Sequence, residues 1–409
     1  MQDFHALRAA RRALAERGAS PEDILACRPD AADPDCLREL AAIHRSDLTL
    51  VCSPVELRML TRLYGVPAEK LALAPFFAPH SPHALTAAAA GPASAACLPH
   101  EARQHFCMIG NWRHPPNLDS ARWACAEVWP ALRAALPPEQ RATAELHLYG
   151  AYPAGAAQQL HRPKEGVHMK GWAPSLDLML RYRVLLAPLR YGAGLKGKVV
   201  DAWWHGLPVV TTPIGAEGMT AEDAAPEDQS VTGLAAAAAA APPDPAADGD
   251  AWQLGGGSPT SSSTSPAAAA RTEWGGLCDA STAEGLAAAA ALLYRDAQLW
   301  GTCQHRGFKL LDLLYARERN LVRVHAAVGA AAGELERRRR RDFVGGMLWS
   351  QQLRATEYLS RWIELKESIK ESSTVGSSGG TSSSGSVACG SSSSGGSSSS
   401  GRSSGPGGA

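Results

Sequence analysis

Residues 184–212 read VLLAPLRYGAGLKGKVVDAWWHGLPVVTT, and the order of elements in this stretch decides the fold. The apolar run Val184 to Leu189 is short and unbroken, as in a strand buried on both faces. A glycine-punctuated turn follows. Lys198 to His205 then reads as a helix and Pro208 to Thr212 as a second strand. Upstream, His105 to Ile109 is another apolar run, ending at Gly110. A helix comes next, with Leu118, Ala121, Cys125, Val128 and Leu132 on one face, opened by Pro115, Pro116 and Asn117 and closed by Pro137 and Pro138. Glu145 to Tyr149 and Val167 to Lys170 read as strands ending at Gly150 and Gly171, and Ser175 to Tyr182 as a helix. Repeated strand–helix units with doubly buried strands predict the α/β class, a Rossmann-like doubly wound parallel sheet.

The first 77 residues carry part of the same pattern. Asp47 to Ser53 reads as a strand, Val55 to Tyr64 as a helix and Lys70 to Phe76 as a strand, which is a partial second Rossmann-like domain over 1–77. An Ala-, Pro- and His-rich stretch makes 78–103 a linker. The main domain then spans 104–330, with two helices over 283–328 and core candidates Leu292, Leu293, Trp300, Leu310, Leu311 and Leu314. It is interrupted at 226–271 by Ala, Pro/Asp and Ser/Thr blocks, which predict a disordered insert. Within 331–371, residues 343–369 read as one amphipathic helix and Arg337 to Arg341 as a solvated face. The Ser/Gly run 372–409 predicts a disordered tail.

The 409 residues hold 40 Lys plus Arg against 40 Asp plus Glu, a neutral balance that argues against a nucleic-acid binder or a polybasic membrane protein. No apolar run reaches the roughly 18 residues of a membrane span. Residues 1–30 lack the basic start and apolar core of a secretory signal. The nine cysteines form no CxxC pair, so neither a zinc site nor a disulfide framework is expected, and a reducing, cytoplasmic setting fits best. The histidines beyond His5 show no pairing at metal-ligand spacing, so no metal is expected.

The chemistry concentrates in Arg190-Tyr-Gly192-Ala-Gly194-Leu-Lys196-Gly-Lys198-Val-Val-Asp201, between a strand and a helix. Open α/β sheets bind ligands at such corners. Glycines let the backbone approach a ligand and expose N–H groups. A helix N-terminus and the charges of Lys196 and Lys198 then favour an anion, most simply a phosphate or diphosphate. Asp201, one turn into the helix, is placed to accept hydrogen bonds from a sugar diol. The segment is neither GxGxxG after a first strand nor a P-loop ending in GKS or GKT. Its place at a late strand disfavours a dehydrogenase or an NTPase.

GNWRHPPN (110–117), LHLYGAYP (146–153), VHMKGWAP (167–174) and LLAPLRYGAGLKGKVVDAWWHGLPVVTTPIGAEGM (185–219) closely resemble the donor half of GT-B glycosyltransferases of the family 4, group 1 type. DFHALR (3–8) and residues 38–77 resemble the end of that family's acceptor domain, the earlier strands being missing. The resemblance implies a nucleotide-sugar-binding domain over 104–330 and a helix within 331–371 that crosses back to the N-terminal domain. It implies that Gly192, Gly194, Lys196 and Lys198 bind the donor diphosphate, with Arg190 and with Gly110, Asn111 and Arg113 of the domain's first loop. Gly171 and Trp172 fall where the family holds the nucleobase. Asp201 stands where members carry a ribose-binding Glu, and Ala193 where many carry another Glu. His5 matches a strand-end His near the donor sugar and, with Lys196, is the catalytic candidate. The implied activity is transfer of a sugar, with the retained configuration of that family, from a nucleoside-diphosphate donor to a hydroxyl of a glycan, lipid or protein, with no cofactor. The alternatives are a truncated, non-catalytic nucleotide-sugar-binding module, or an epimerase, which would need acid/base carboxylates in the cleft.

Overall fold

The computed structural model describes residues 1, 3–78, 98–153, 155–223, 273–278 and 280–375. The insert 226–271 and tail residues 376–409 lie outside the described residues, as does 79–97 of the linker. Contacts divide the chain into Met1–Trp349 and a second unit from Ser350 onward.

In the first unit, strands β1 (Thr49–Val51) and β2 (Leu71–Leu73) form a small parallel pair. The main sheet contains β3 (Gln104–Ile109), β4 (Leu146–Tyr149), β5 (Val167–Gly171), β6 (Tyr182–Ala187), β7 (Val209–Thr211) and β8 (Gly276–Leu277). All are parallel, in the order β5-β4-β3-β6-β7-β8. The chain winds outward from β3 to β5, then restarts on the other side of β3 at β6. That reversal leaves a crevice at the carboxyl ends of β3 and β6, where open α/β sheets take their ligands.

Each face of the sheet has its own aromatic core. On one, Phe106 stacks on Tyr294 with ring centroids 4.6 Å apart and meets Trp129 edge-on. On the other, Trp203 and Trp274 are buried against each other, with centroids 5.2 Å apart. Trp203 needs Gly307 beneath it, since a Cβ there would come within 2.8 Å of the indole. Arg103, fully buried, donates to the carbonyls of Leu98, Met179, Tyr182 and His205, so the end of the expected linker is rooted in the domain.

Several expectations are corrected. The helix read from Leu118 to Leu132 is Pro115–Trp123, a π turn at Ala124–Val128, and Trp129–Ala135. Pro130 is the reason: it has no N–H for the ordinary helical bond. Ser175 to Tyr182 is a 3-10 segment, Leu176–Arg181. Residues 283–328 lie in three helices rather than two, Ala283–Arg295, Ala297–Tyr315 and Arg317–Gly333, and Leu292 is exposed rather than core. The basic run is solvated as expected, Arg337, Arg339, Arg340 and Arg341 being exposed, and it also makes contacts. Arg339 pairs with Asp47, and Arg338 donates to the Glu69 carbonyl. Asp342 pairs with Lys70 at 2.5 Å. The last helix, Phe343–Val375, continues past the expected tail boundary at 372, and within the second unit Leu353, Tyr358, Leu359, Trp362, Ile363 and Leu365 are exposed. Among the described residues, no helix is long and apolar enough to cross a membrane.

Candidate functional site

The helix Gly197–Trp204 starts at the crevice without a side-chain cap, leaving its first amides directed at the loop that precedes it. Gly194 has φ of +65°, a left-handed conformation that favours glycine. Both features lie in the glycine turn to which the sequence analysis assigns an anion. The lysines do not splay outward. Lys196 is buried, and its Nζ donates to the Gly194 carbonyl at 2.6 Å. Burial holds its pKa below the ordinary lysine value, with Arg11 adding to the effect and Glu217 and Glu56 opposing it. Lys198 donates to Asn117 Oδ1 at 2.7 Å, and burial, with Lys196 nearby, holds it down to about 8.

The first loop of the domain meets this corner. Gly110 lies against Asn117 and Gly150, and a Cβ at Gly150 would run into the Gly110 carbonyl. Asn117 Nδ2 donates to the Asn111 carbonyl at 3.1 Å, and the Arg113 amide to Asn111 Oδ1 at 2.9 Å. His114, which sequence reasoning missed, is held below its usual pKa by burial and by Arg8, Lys198 and His5, against Asp3. Arg8, His5, His114 and Lys198 are thus electrostatic neighbours, a basic group drawn from both segments. His5 opens the helix His5–Glu16 and is half-exposed. Its ring nitrogens lie 3.2 Å from Asp3 Oδ1 and 3.0 Å from Glu39 Oε1.

The other expected residues are more dispersed. The Arg113 guanidinium lies over the Tyr152 ring at 3.7 Å. Arg190 is turned to Asp119, which it grips through two nitrogens, rather than to the glycine turn. Gly171 ends β5 with φ of +78°, and Trp172 beside it is 70% exposed, which excludes a core role. Asp201 is half-buried one turn into the helix, where burial raises its pKa.

Three charged residues absent from the sequence-based site hold the loop from behind. Glu56 Oε1 accepts the amides of Gly194 at 2.7 Å and Phe4 at 3.0 Å, while Oε2 is buried without a partner. Burial raises its carboxyl to about 7, against those two hydrogen bonds and Lys196. Arg11, wholly buried, donates to the Gly192 carbonyl at 2.9 Å and forks onto both oxygens of Glu217 at 2.7 Å. That fork holds the Glu217 carboxyl below its ordinary pKa although burial alone would raise it. Nothing local marks Glu56 or Arg11 in the sequence, because each reaches the loop across well over a hundred residues.

Two cavities adjoin the corner. One of about 330 Å³ is lined by Ala19, Ile24 and Leu25 of the N-terminal segment and by Leu189, Arg190 and Thr212. A smaller one of about 110 Å³ lies between Pro54, Leu73, Leu195, Gly218 and Tyr315.

Residues 103–242, about a third of the chain, match the family model described as glycosyl transferases group 1. No curated protein sequence matches the chain. Solved structures similar to it include TarM of S. aureus with UDP, at 10% identity and a TM-score of 0.43, covering 72% of this chain and 46% of that one. Sucrose-phosphate synthase from Thermosynechococcus elongatus gives 15% and 0.44, covering 78% and 66%. Anabaena HepE with UDP gives 12% and 0.46, covering 80% and 77%. The chain spans about half the length of the first of these.

Proposed function

We propose that this chain is a glycosyltransferase that takes a nucleoside-diphosphate sugar at the Gly192–Lys198 corner and passes the sugar, with retained configuration, to a hydroxyl of a glycan, lipid or protein. The observation that carries this reading is the uncapped N-terminus of Gly197–Trp204, flanked by Lys196 and Lys198, at the carboxyl end of β6 where the strand order reverses. Breaking a glycosidic bond to a diphosphate needs donors and positive charge where the leaving group gains charge. The loop amides and Lys198 supply both, with the neutral ring of His114 as a further donor and Arg8, which pairs with Asp3, beside them, so the reading requires no cofactor. Lys196 keeps the loop folded around the anion. Gly110, Asn111, Arg113 and Arg190 border the crevice, Arg113 and Arg190 reaching the donor only by leaving Tyr152 and Asp119. Gly171 and Trp172 offer backbone and an exposed ring to a base, Asp201 a carboxyl to the ribose, and His5 an imidazole to the sugar. The 330 Å³ cavity beside Arg190 gives room for the transferred group.

A second reading, donor binding without turnover, is favoured by Asp201 and Ala193 standing at the two positions where the resembling family carries Glu. Calorimetry with UDP- and GDP-sugars tests the site. Lys196→Ala in a folded variant should weaken binding by about tenfold, or 1.4 kcal/mol; unchanged affinity removes the assigned role. Donor hydrolysis or transfer by the full chain separates the two readings.

A further inference from the structure

We propose that Glu145, His147 and His168 form a binding site for a divalent transition-metal ion, Zn²⁺ by its ligand chemistry, with His105 closing the fourth position. The site lies at the start of strands β3, β4 and β5, the opposite end of the sheet from the glycine-rich corner. It is independent of the activity proposed above.

Pairing of the parallel strands creates the cluster. His147 of β4 lies beside His168 of β5 on one side and Cys107 of β3 on the other. Glu145 immediately precedes β4, and alternation along the chain puts it on the same face as His147. One ligand atom from each of Glu145, His147 and His168 lies within 4.8 Å of the other two. Glu145 Oε2 is 2.7 Å from His147 Nε2, and Glu145 Oε1 is 3.4 Å from His168 Nε2. Zinc bonds of about 2.0–2.1 Å to imidazole nitrogen and carboxylate oxygen, arranged tetrahedrally, set ligand atoms a little over 3 Å apart. Small side-chain rotations reach that spacing, the ion replacing the proton shared by Glu145 and His147.

The surroundings match a ligand histidine. The other ring nitrogen of His147, Nδ1, is 2.7 Å from the Tyr182 hydroxyl, which is 2.8 Å from the Tyr149 hydroxyl. With Nε2 on a metal, Nδ1–H donates to Tyr182, the outer hydrogen bond that orients metal-bound imidazoles. His105 supplies a separate observation. Its Nδ1 is buried without a hydrogen-bond partner, and its ring centre is 5.2 Å from that of His147. It also has φ of +61° inside a strand, a conformation that costs a non-glycine residue energy and concentrates at functional sites. An ion gives the orphaned nitrogen a partner. His161 is not a ligand candidate through Nδ1, which accepts the Met169 amide at 3.2 Å. Lys170 is the nearby charge that opposes a cation, acting on both His147 and His105, and Arg183 also faces His105. Two or three imidazoles and one carboxylate are a borderline donor set that suits zinc better than magnesium or calcium.

The test uses the full chain stripped with EDTA and then titrated with Zn²⁺ in a calorimeter and with Co²⁺ in an absorption spectrometer. The expected result is one equivalent of either ion, visible d–d bands of a four-coordinate Co²⁺ centre, and a higher melting temperature with Zn²⁺. His168→Ala and the isosteric Glu145→Gln should each weaken binding at least tenfold. Tyr182→Phe should weaken it by about ten- to a hundredfold through the outer hydrogen bond. Near-ultraviolet circular dichroism establishes that each variant is folded, and Glu145→Gln decides the matter should His168→Ala unfold. The proposal is overturned by no stoichiometric binding, by equal binding in wild type and Glu145→Gln, or by an intense sulfur-to-cobalt band showing that cysteines hold the ion.

Discussion

Glu56 offers a measurable handle on how the N-terminal segment grips the glycine-rich turn. Its carboxyl is raised from 4.5 to about 7, chiefly because ionising it strands a charge among buried groups. Between those two values the folded chain retains a proton that the unfolded chain has released. Stability from this group is therefore complete below about 4.5 and falls as pH climbs to about 7, after which it levels off. At 1.36 kcal/mol for each pKa unit, the whole decline is about 3 kcal/mol, and most of it falls between pH 5 and pH 8. Glu56→Gln keeps the side-chain oxygen that accepts the Phe4 and Gly194 amides but cannot ionise. Urea unfolding followed by tryptophan fluorescence at pH 5 and pH 8 should show the variant gaining about 2–3 kcal/mol on the wild type at the higher pH. Parallel pH profiles for the two proteins would refute the reasoning, since they would mean that the carboxyl ionises as readily in the fold as in water.

Arg11→Met should cost about 3–5 kcal/mol in urea unfolding, because Glu217 is left inside without the guanidinium that forks onto it. A loss below about 1 kcal/mol would show that the pair is solvated. Gly150→Ala should cost about 1–3 kcal/mol, because the new methyl drives into the Gly110 carbonyl and pushes β3 and β4 apart at the crevice. Gly301→Ala is its control. With nothing within 4 Å and a helical setting, it should be neutral or stabilising by up to about 1 kcal/mol in the same assay.

The strands of the main sheet were legible because each is a short apolar run closed by glycine or proline. Readings at 105–109, 145–149, 167–170, 184–189 and 208–212 correspond to β3 to β7 within a few residues. β8 was not legible, as Gly276–Leu277 has only two residues and no pattern to read. The helices at 5–16 and 21–26 were not legible, the first being mostly Ala and Arg and the second only six residues long. Arg11 was missed with them. In the loop, glycine spacing and paired lysines pointed to an anion site but not to the direction of Lys196, whose amine turns back to the Gly194 carbonyl. The histidine cluster had one readable trace, the Glu145 and His147 alternation. His168 and His105 join it only through strand pairing, which no local spacing encodes.

The outer margins of the main sheet have a consequence for self-association. Along β5 the outward-facing donors are already engaged: the Val167 amide bonds to the Arg162 carbonyl, and the Met169 amide to the ring of His161. At the opposite margin β8 offers only two residues. Among the described residues, a visiting segment in extended form would find almost no free rungs at either side of the main sheet, so this sheet gives copies of the chain little template for zipping into fibrils.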